Sequence, residues 1–221
     1  MNQHIFFDLD GTLTDPKPGI TGCIQYALER LGRPVPTQDE LEWCIGPPLV
    51  ENFTTLVGVA DAQTAVDLYR ERFSDRGLFE NAVYPGVEAM LLELRGRGAE
   101  LYVASSKPRV FVTRILDHFD LSRHFGAVFG SELDGTRVDK ADLLEFALSE
   151  TAVDSGASTM IGDRRHDAIG ADKNGMAFVG VLYGYGSAAE LQAAGVGRSV
   201  EHPSELVSAL FSPAKDERRG I

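Results

Sequence analysis

The chain has 221 residues, 43% of them hydrophobic and 24% charged, and carries a formal net charge of −12. That length buries one good core plus a small satellite but hardly two full-sized domains, and the mix is that of a soluble globular enzyme. The acidic balance argues against binding a nucleic-acid polymer, which needs clustered Lys and Arg; an anionic small molecule stays open where a metal and a few cations reverse the local sign.

Residues 1–7 are too short for a signal peptide, and no apolar run reaches membrane-spanning length, so no membrane association and a cytoplasmic location are expected. Ile5-Phe6-Phe7 reads as a strand buried on both faces and ending at Asp8. Residues 16–80 then carry helical stripes (Ile20, Cys23, Ile24, Ala27, Leu28, Leu31; later Ala62, Val66, Tyr69, Phe73) and no convincing strand. Pro16 and Pro18 open this stretch, and Tyr84-Pro85-Gly86 closes it. The pattern predicts a small helical domain, 16–80, inserted after the first strand of an α/β core formed by 1–15 and 81–221. Cys23 and Cys44 lie in apolar stretches without metal-ligand spacing, which reads as two buried thiols in a reducing compartment.

Beyond the insertion, short apolar runs alternate with helical periods. Leu101-Tyr102-Val103-Ala104 ends at Ser105, Ala127-Val128-Phe129 at Gly130-Ser131, Met160-Ile161-Gly162 at Asp163, and the run from Phe178 near Tyr183. Between them stand the stripes Val87, Met90, Leu91, Leu94 and Leu143, Leu144, Ala147, Leu148, with Gly98, Gly126 and Gly175 placed as helix C-termini. This alternation predicts a doubly wound, mainly parallel, Rossmann-like α/β sheet. The polar tail, 212–221, is expected to fray.

In an open parallel sheet, ligands sit beyond the carboxyl ends of the strands, so Asp8, Ser105 and Asp163 are expected to converge. In Asp8-Leu9-Asp10-Gly11-Thr12 the two carboxylates repel unless a hard divalent cation joins them. One could then attack phosphorus while the other handles protons. Gly11 permits the tight turn and Thr12 offers hydroxyl and amide donors to a phosphate; the same residues also suit a plain acidic turn. Ser105-Ser106-Lys107-Pro108 suits either a phosphate-binding helix start or a simple cap, with Lys107 read as a solvated surface residue. Lys140 opens a helix, where the dipole disfavours a cation. It therefore implies local anions, or else a surface lysine paired with Asp139. Asp163 and Asp167, one helical turn apart, could share a metal or could be helix-start acids. Asp172 belongs to the latter class. His166 reads as a surface residue, and His4, His118, His124 and His202 show no metal spacing.

Taken together and in this order, Asp8-x-Asp10-Gly11-Thr12, Ser105, Lys140 and Gly162-Asp163-x-x-x-Asp167 resemble the motif set of the haloacid dehalogenase-like hydrolase superfamily. The resemblance covers nearly the whole chain, including the helical cap. It implies Asp8 as nucleophile and Asp10 as the group that protonates the leaving oxygen and then activates water. It further implies Ser105 and Lys140 on the phosphoryl oxygens, with Gly11, Thr12 and Ser106 beside them. Mg²⁺ would be held by Asp8, the Asp10 carbonyl and Asp163, with Asp167 in support. Asp10 separates the chain from the superfamily's dehalogenases. Leu9 separates it from the P-type ATPases, and Lys17, the only lysine in 16–80, makes a poor Schiff-base residue for phosphonate cleavage.

At finer grain the chain resembles the phosphoglycolate phosphatase-like branch, with residues 130–137, 161–164 and 180–186 most like its 5′-nucleotidase-like members. The implied activity is Mg²⁺-dependent hydrolysis of small phosphomonoesters, nucleoside 5′-monophosphates ahead of phosphoglycolate. The cap loop Cys44-Ile45-Gly46-Pro47-Pro48-Leu49 is apolar and supplies no cation for a second carboxylate. A phosphomutase and a non-catalytic binding protein are the remaining alternatives. The implied partner is a small phosphorylated metabolite, and monomer and homodimer both remain open.

Overall fold

Three large apolar side chains in succession can all be buried only when their strand is covered on both faces. Ile5, Phe6 and Phe7 are each fully buried, and β1 (His4–Phe7) runs through the middle of the sheet. The computed structural model describes residues 3–211, so the tail expected to fray lies outside the described residues.

After β1 the chain makes a tight turn into β2 (Thr14–Asp15) and then forms α1 (Lys17–Arg30), α2 (Leu49–Val57) and α3 (Val59–Arg72). It returns through β3 (Ala82–Val83), which pairs antiparallel with β2. These two short strands carry the chain into and out of the inserted helices. The described residues between β2 and β3 contain no strand.

The alternation then runs α4 (Val87–Gly96), β4 (Glu100–Pro108), α5 (Arg109–His118), β5 (Ala127–Ser131), α6 (Lys140–Thr151) and β6 (Ser158–Gly162). It ends with α7 (Arg165–Lys173), β7 (Ala177–Val181), α8 (Ala188–Ala193), β8 (Ser199–Val200) and α9 (Leu206–Phe211). The sheet order is β5-β4-β1-β6-β7-β8, and every pairing in it is parallel. The fold is thus the doubly wound parallel α/β class.

The strand period of two divides the core. Phe6, Tyr102, Ala104 and Met160 face one side, where Leu143, Leu144 and Ala147 of α6 and Ala171 of α7 cover them. Ile5, Phe7, Val103 and Ile161 face the other, beneath α4 and α5. That second core continues through Leu9 and Leu13 into Ile20, Ile24, Val66 and Phe73 of the insertion.

Two local expectations differ from the structure. The strand expected to stop at Ser105 continues to Pro108 through a bulge, where Ser105 pairs with Gly130 and Pro108 with Ser131. Gly126 does not end a helix. After α5 the left-handed residue is Asp120 (φ 56°), whereas Gly126 donates its N–H to the Leu101 carbonyl and leads into β5. Gly98 and Gly175 do take positive φ after α4 and α7. The two-residue strands β2, β3 and β8 had no apolar run to announce them.

Candidate active site

Asp8 is the first residue beyond β1, and its N–H donates to the Ile161 carbonyl of β6 at 2.9 Å, which fixes it at the carboxyl edge of the sheet. Asp163 is the first residue beyond β6, and Asp167 lies in the first turn of α7. All three are buried, and one carboxylate oxygen from each lies within 4.8 Å of the other two. Glycines allow this crowding. A Cβ on Gly162 would strike the Asp167 carboxylate, and one on Gly11 (φ 80°) would strike that of Asp163. Gly184 packs its Cα against the Gly11 carbonyl and Asp163 in the same way.

Lys140 reaches into this cluster. Its Nζ lies 2.7 Å from Asp167 Oδ1 and 3.1 Å from Asp8 Oδ1, and donates to the Ala104 carbonyl at 2.9 Å. Asp139 does not pair with it; its carboxylate caps α6 by accepting from the N–H groups of Ala141 and Asp142. Burial opposes the charge on Lys140, but Asp167 and Asp8 outweigh it and hold the ammonium above its usual range. Burial, then the charges of Asp167 and Asp8, push the Asp163 carboxyl well up. Burial likewise raises Asp167, against the pull of Lys140.

A second ion pair stands beside the first. Lys107 Nζ contacts both carboxylate oxygens of Asp10, at 2.8 and 2.7 Å, with both side chains nearly buried. Lys107 is therefore not the solvated surface residue expected. The β4 bulge turns it inward, and a bulge is a common means of re-aiming a side chain beside a site. Burial raises the Asp10 carboxyl, with Lys107 opposing. Ser105 is buried nearby, and Ser106 accepts from Ser131 Oγ through its carbonyl.

These groups form the floor of a cleft of about 400 Å³, whose lining includes Asp8, Asp10, Ser105, Ser106, Lys140 and Asp167. That volume falls within the range of small-molecule sites. Pro47, Pro48, Leu49, Val66, Tyr69 and Phe73 of the inserted segment form the roof. Two arginines tie roof to floor. Arg70 of α3 donates to the Leu133 carbonyl at 2.9 Å, and Arg164 donates to the Ile45 carbonyl while Glu190 of α8 holds its Nε at 3.0 Å. His166 also lines the cleft. It is half-buried rather than a surface residue, because the first turn of α7 faces inward. Gly11 and Thr12 stand apart from the cleft lining. Their N–H groups are engaged by the Thr14 and Leu9 carbonyls within the turn, and the Thr12 hydroxyl is buried without a partner.

Four carboxylates (Asp8, Asp10, Asp163, Asp167) face two ammonium groups, which leaves the floor short of positive charge. Asp163 Oδ1 is buried and accepts no hydrogen bond, while its Oδ2 accepts from the Tyr185 N–H at 2.7 Å. An orphaned buried carboxylate oxygen amid hard oxygen donors fits Mg²⁺.

A family model for haloacid dehalogenase-like hydrolases matches residues 5–181. A 5′-nucleotidase of Pseudomonas aeruginosa is 50% identical over 192 residues, covering 86% of this chain and 87% of that protein. The tyrosine-protein kinase PtkA of Mycobacterium tuberculosis is 39% identical over 186 residues, covering 84% of this chain and 64% of that protein. The crystal structure of a predicted phosphatase from Clostridium acetobutylicum matches with a TM-score of 0.92 at 40% identity, covering 96% of this chain and all of that one.

Proposed function

Because the chain belongs to the haloacid dehalogenase-like hydrolases and is a phosphatase of that family, we propose that it cleaves small phosphomonoesters through a phosphorylated Asp8, with nucleoside 5′-monophosphates as preferred substrates. The observation that carries the chemistry is the placement of Asp8 against Lys140 and two further buried carboxylates, two residues from a separately paired Asp10.

In this reading an Asp8 oxygen attacks phosphorus and the P–O bond to the leaving group breaks. Asp10, as the carboxylic acid, gives its proton to the departing oxygen. It then takes a proton from the water that attacks the aspartyl-phosphate, so phosphate leaves and Asp8 is restored. Lys140 holds the Asp8 carboxylate and offsets charge on the phosphoryl oxygens. Asp8, Asp163 and Asp167 would hold Mg²⁺, which supplies Lewis-acid neutralisation of the phosphoryl group when bound. The inserted helices serve as a lid that shields the first transfer from bulk solvent and opens to release product.

The substrate preference rests on the cations. Lys107, Lys140, Arg70 and Arg164 are the Lys and Arg residues that line the cleft among the described residues, and each is already engaged. None is free to meet a second anionic group such as the carboxylate of phosphoglycolate. The proline and aromatic roof instead suits the uncharged face of a nucleoside.

The test is phosphate release from all common 5′-nucleotides and phosphoglycolate, run with Mg²⁺, with chelator, and with Asp8→Asn. Chelator-sensitive release from nucleotides, lost in Asp8→Asn, is expected. A clear preference for phosphoglycolate overturns the substrate reading, and activity surviving in Asp8→Asn overturns the nucleophile. Net transfer to a tyrosyl acceptor without phosphate release would replace hydrolysis by phosphotransfer, the direction suggested by the likeness to PtkA.

A further inference from the structure

Asp10 needs help that the motif set alone does not supply. A carboxyl that must aim at a leaving oxygen in one step and at water in the next has to keep one orientation throughout. Its only side-chain hydrogen-bond partner among the described residues is Lys107. The ammonium meets both oxygens of the ionised carboxylate, at 2.8 and 2.7 Å, and the two side chains are only 9% and 11% exposed; when Asp10 carries the proton to be donated, one oxygen holds it and the other keeps the ammonium. The pair is therefore shielded from the solvent that makes most lysine–carboxylate pairs weak.

Lys107 has a second contact on its other side. Its Nζ lies 5.0 Å from the centroid of the Phe73 ring, within cation–π range. Phe73 belongs to the inserted segment, directly after α3, and is buried. It is held in turn by Tyr69, stacked at 5.1 Å, and by Phe111 of α5, edge-on at 5.4 Å. A flexible lysine stem is thus fixed at its tip by a carboxylate on the floor and an aromatic face on the roof. Opening the roof removes the second constraint.

We propose that Lys107 is a positioning residue for Asp10, held by Phe73, so that Asp10 is aimed for proton transfer when the inserted helices are packed down. The proposal rests on the reading of Asp10 as proton donor. Lys107 itself touches neither phosphorus nor the leaving group. In the phosphorylation step its loss therefore acts on the part of the barrier that proton donation lowers, and that part grows as the leaving group becomes more basic; in the water step it acts equally for every substrate.

The experiment is a leaving-group series of aryl and alkyl phosphates, measured as kcat/KM, which reports the phosphorylation step, and as kcat for the wild type, Lys107→Met, Lys107→Arg, Phe73→Leu and Asp10→Asn. Lys107→Met should lower kcat/KM for alkyl phosphates by about 10²-fold, the lower end of what a positioned acid contributes. It should change kcat/KM little for dinitrophenyl phosphate, whose leaving group needs no proton, while kcat for that substrate falls because Asp10 also serves the water step. Lys107→Arg should keep the shallow dependence, and Phe73→Leu should steepen it by a smaller amount. Should Lys107→Met not fold, Phe73→Leu carries the test through the same slope. A uniform fall in kcat/KM across the series would mean that Lys107 binds the phosphoryl group or supports the fold, and the proposal fails. If Asp10→Asn steepens the slope while Lys107→Met does not, positioning is wrong and the acid role stands. If neither steepens it, the reading of Asp10 falls and the proposal with it.

Discussion

Lys140→Met removes a charge from the interior while nearly preserving its volume. The wild-type ammonium lies 2.7 Å from Asp167 and 3.1 Å from Asp8 and donates to the Ala104 carbonyl. Methionine leaves two buried carboxylates without their cation and one carbonyl without its donor. Breaking a buried pair by removing one partner costs about 3–5 kcal/mol. At roughly 2–4 °C per kcal/mol for a chain of this size, the metal-free variant should melt about 6–20 °C below the metal-free wild type at pH 7. Protonating a stranded carboxylate removes the offending charge, so the deficit should shrink at pH 5. Asp167→Asn added to Lys140→Met should recover part of it at pH 7, because the second substitution removes one unpaired charge. Thermal and urea unfolding with chelator present measure all of these. A loss below about 1 kcal/mol, in a range typical of exposed pairs, would refute the reasoning. So would an equal loss at pH 5 and pH 7.

Burial raises the carboxyls of Asp163 and Asp167 in the metal-free fold, so the native state binds more protons than the unfolded chain. Their stabilising effect is complete below the unfolded value near 4 and is lost as pH rises through the folded values. Metal-free protein should therefore weaken as pH rises across that window, and Mg²⁺ at about 100 times its Kd should restore about 2.7 kcal/mol; urea titrations with and without Mg²⁺ check both. His124 behaves oppositely. It is buried with neither ring nitrogen hydrogen-bonded, and burial, then Arg123 and Arg95, push its pKa down. Its contribution is present above about 6.5 and lost as pH falls through the lowered value, so His124→Leu should flatten stability against pH in that range. Gly184→Ala places a Cβ against the Gly11 carbonyl and the Asp163 side chain. Calorimetry should show Mg²⁺ affinity lower by at least about 10-fold, in line with losses from disturbed ligand support.

The sheet was legible because its strands carry unbroken apolar runs, and the residue ending a run such as Ile5-Phe6-Phe7 must lie at the sheet edge. Asp8, Ser105 and Asp163 follow from that argument alone. Lys140 was legible for a different reason: a cation at a helix start needs anions, and Asp8 and Asp167 supply them. Lys107, two residues before α5, meets the Asp10 carboxylate in the same way. It was missed because a bulge, which leaves no mark in hydrophobic periodicity, turns the residue inward. Arg70 and Arg164 were unreadable on principle. Their partners are backbone carbonyls at Leu133 and Ile45, and a carbonyl has no residue identity to recognise. Tyr185 escaped for want of proximity, since its hydroxyl meets Asp15, 170 positions earlier in the chain, only once the intervening residues have folded.

The central place of β1 has a consequence for the order in which the molecule is made. Its partners are residues 100–103 on one side and 158–161 on the other. Synthesis at about 5–20 residues per second brings the second partner out roughly 8–30 s after β1. Until β4 emerges Ile5, Phe6 and Phe7 have no strand to join, and one edge of β1 then stays unpaired until β6 arrives, a short apolar segment of the sort that invites wrong pairing. The inserted helices need far less. α1, α2 and α3 meet through contacts close in sequence, the kind that form fastest, and all three have emerged before β4 begins. On a growing chain the roof of the cleft takes shape before its floor.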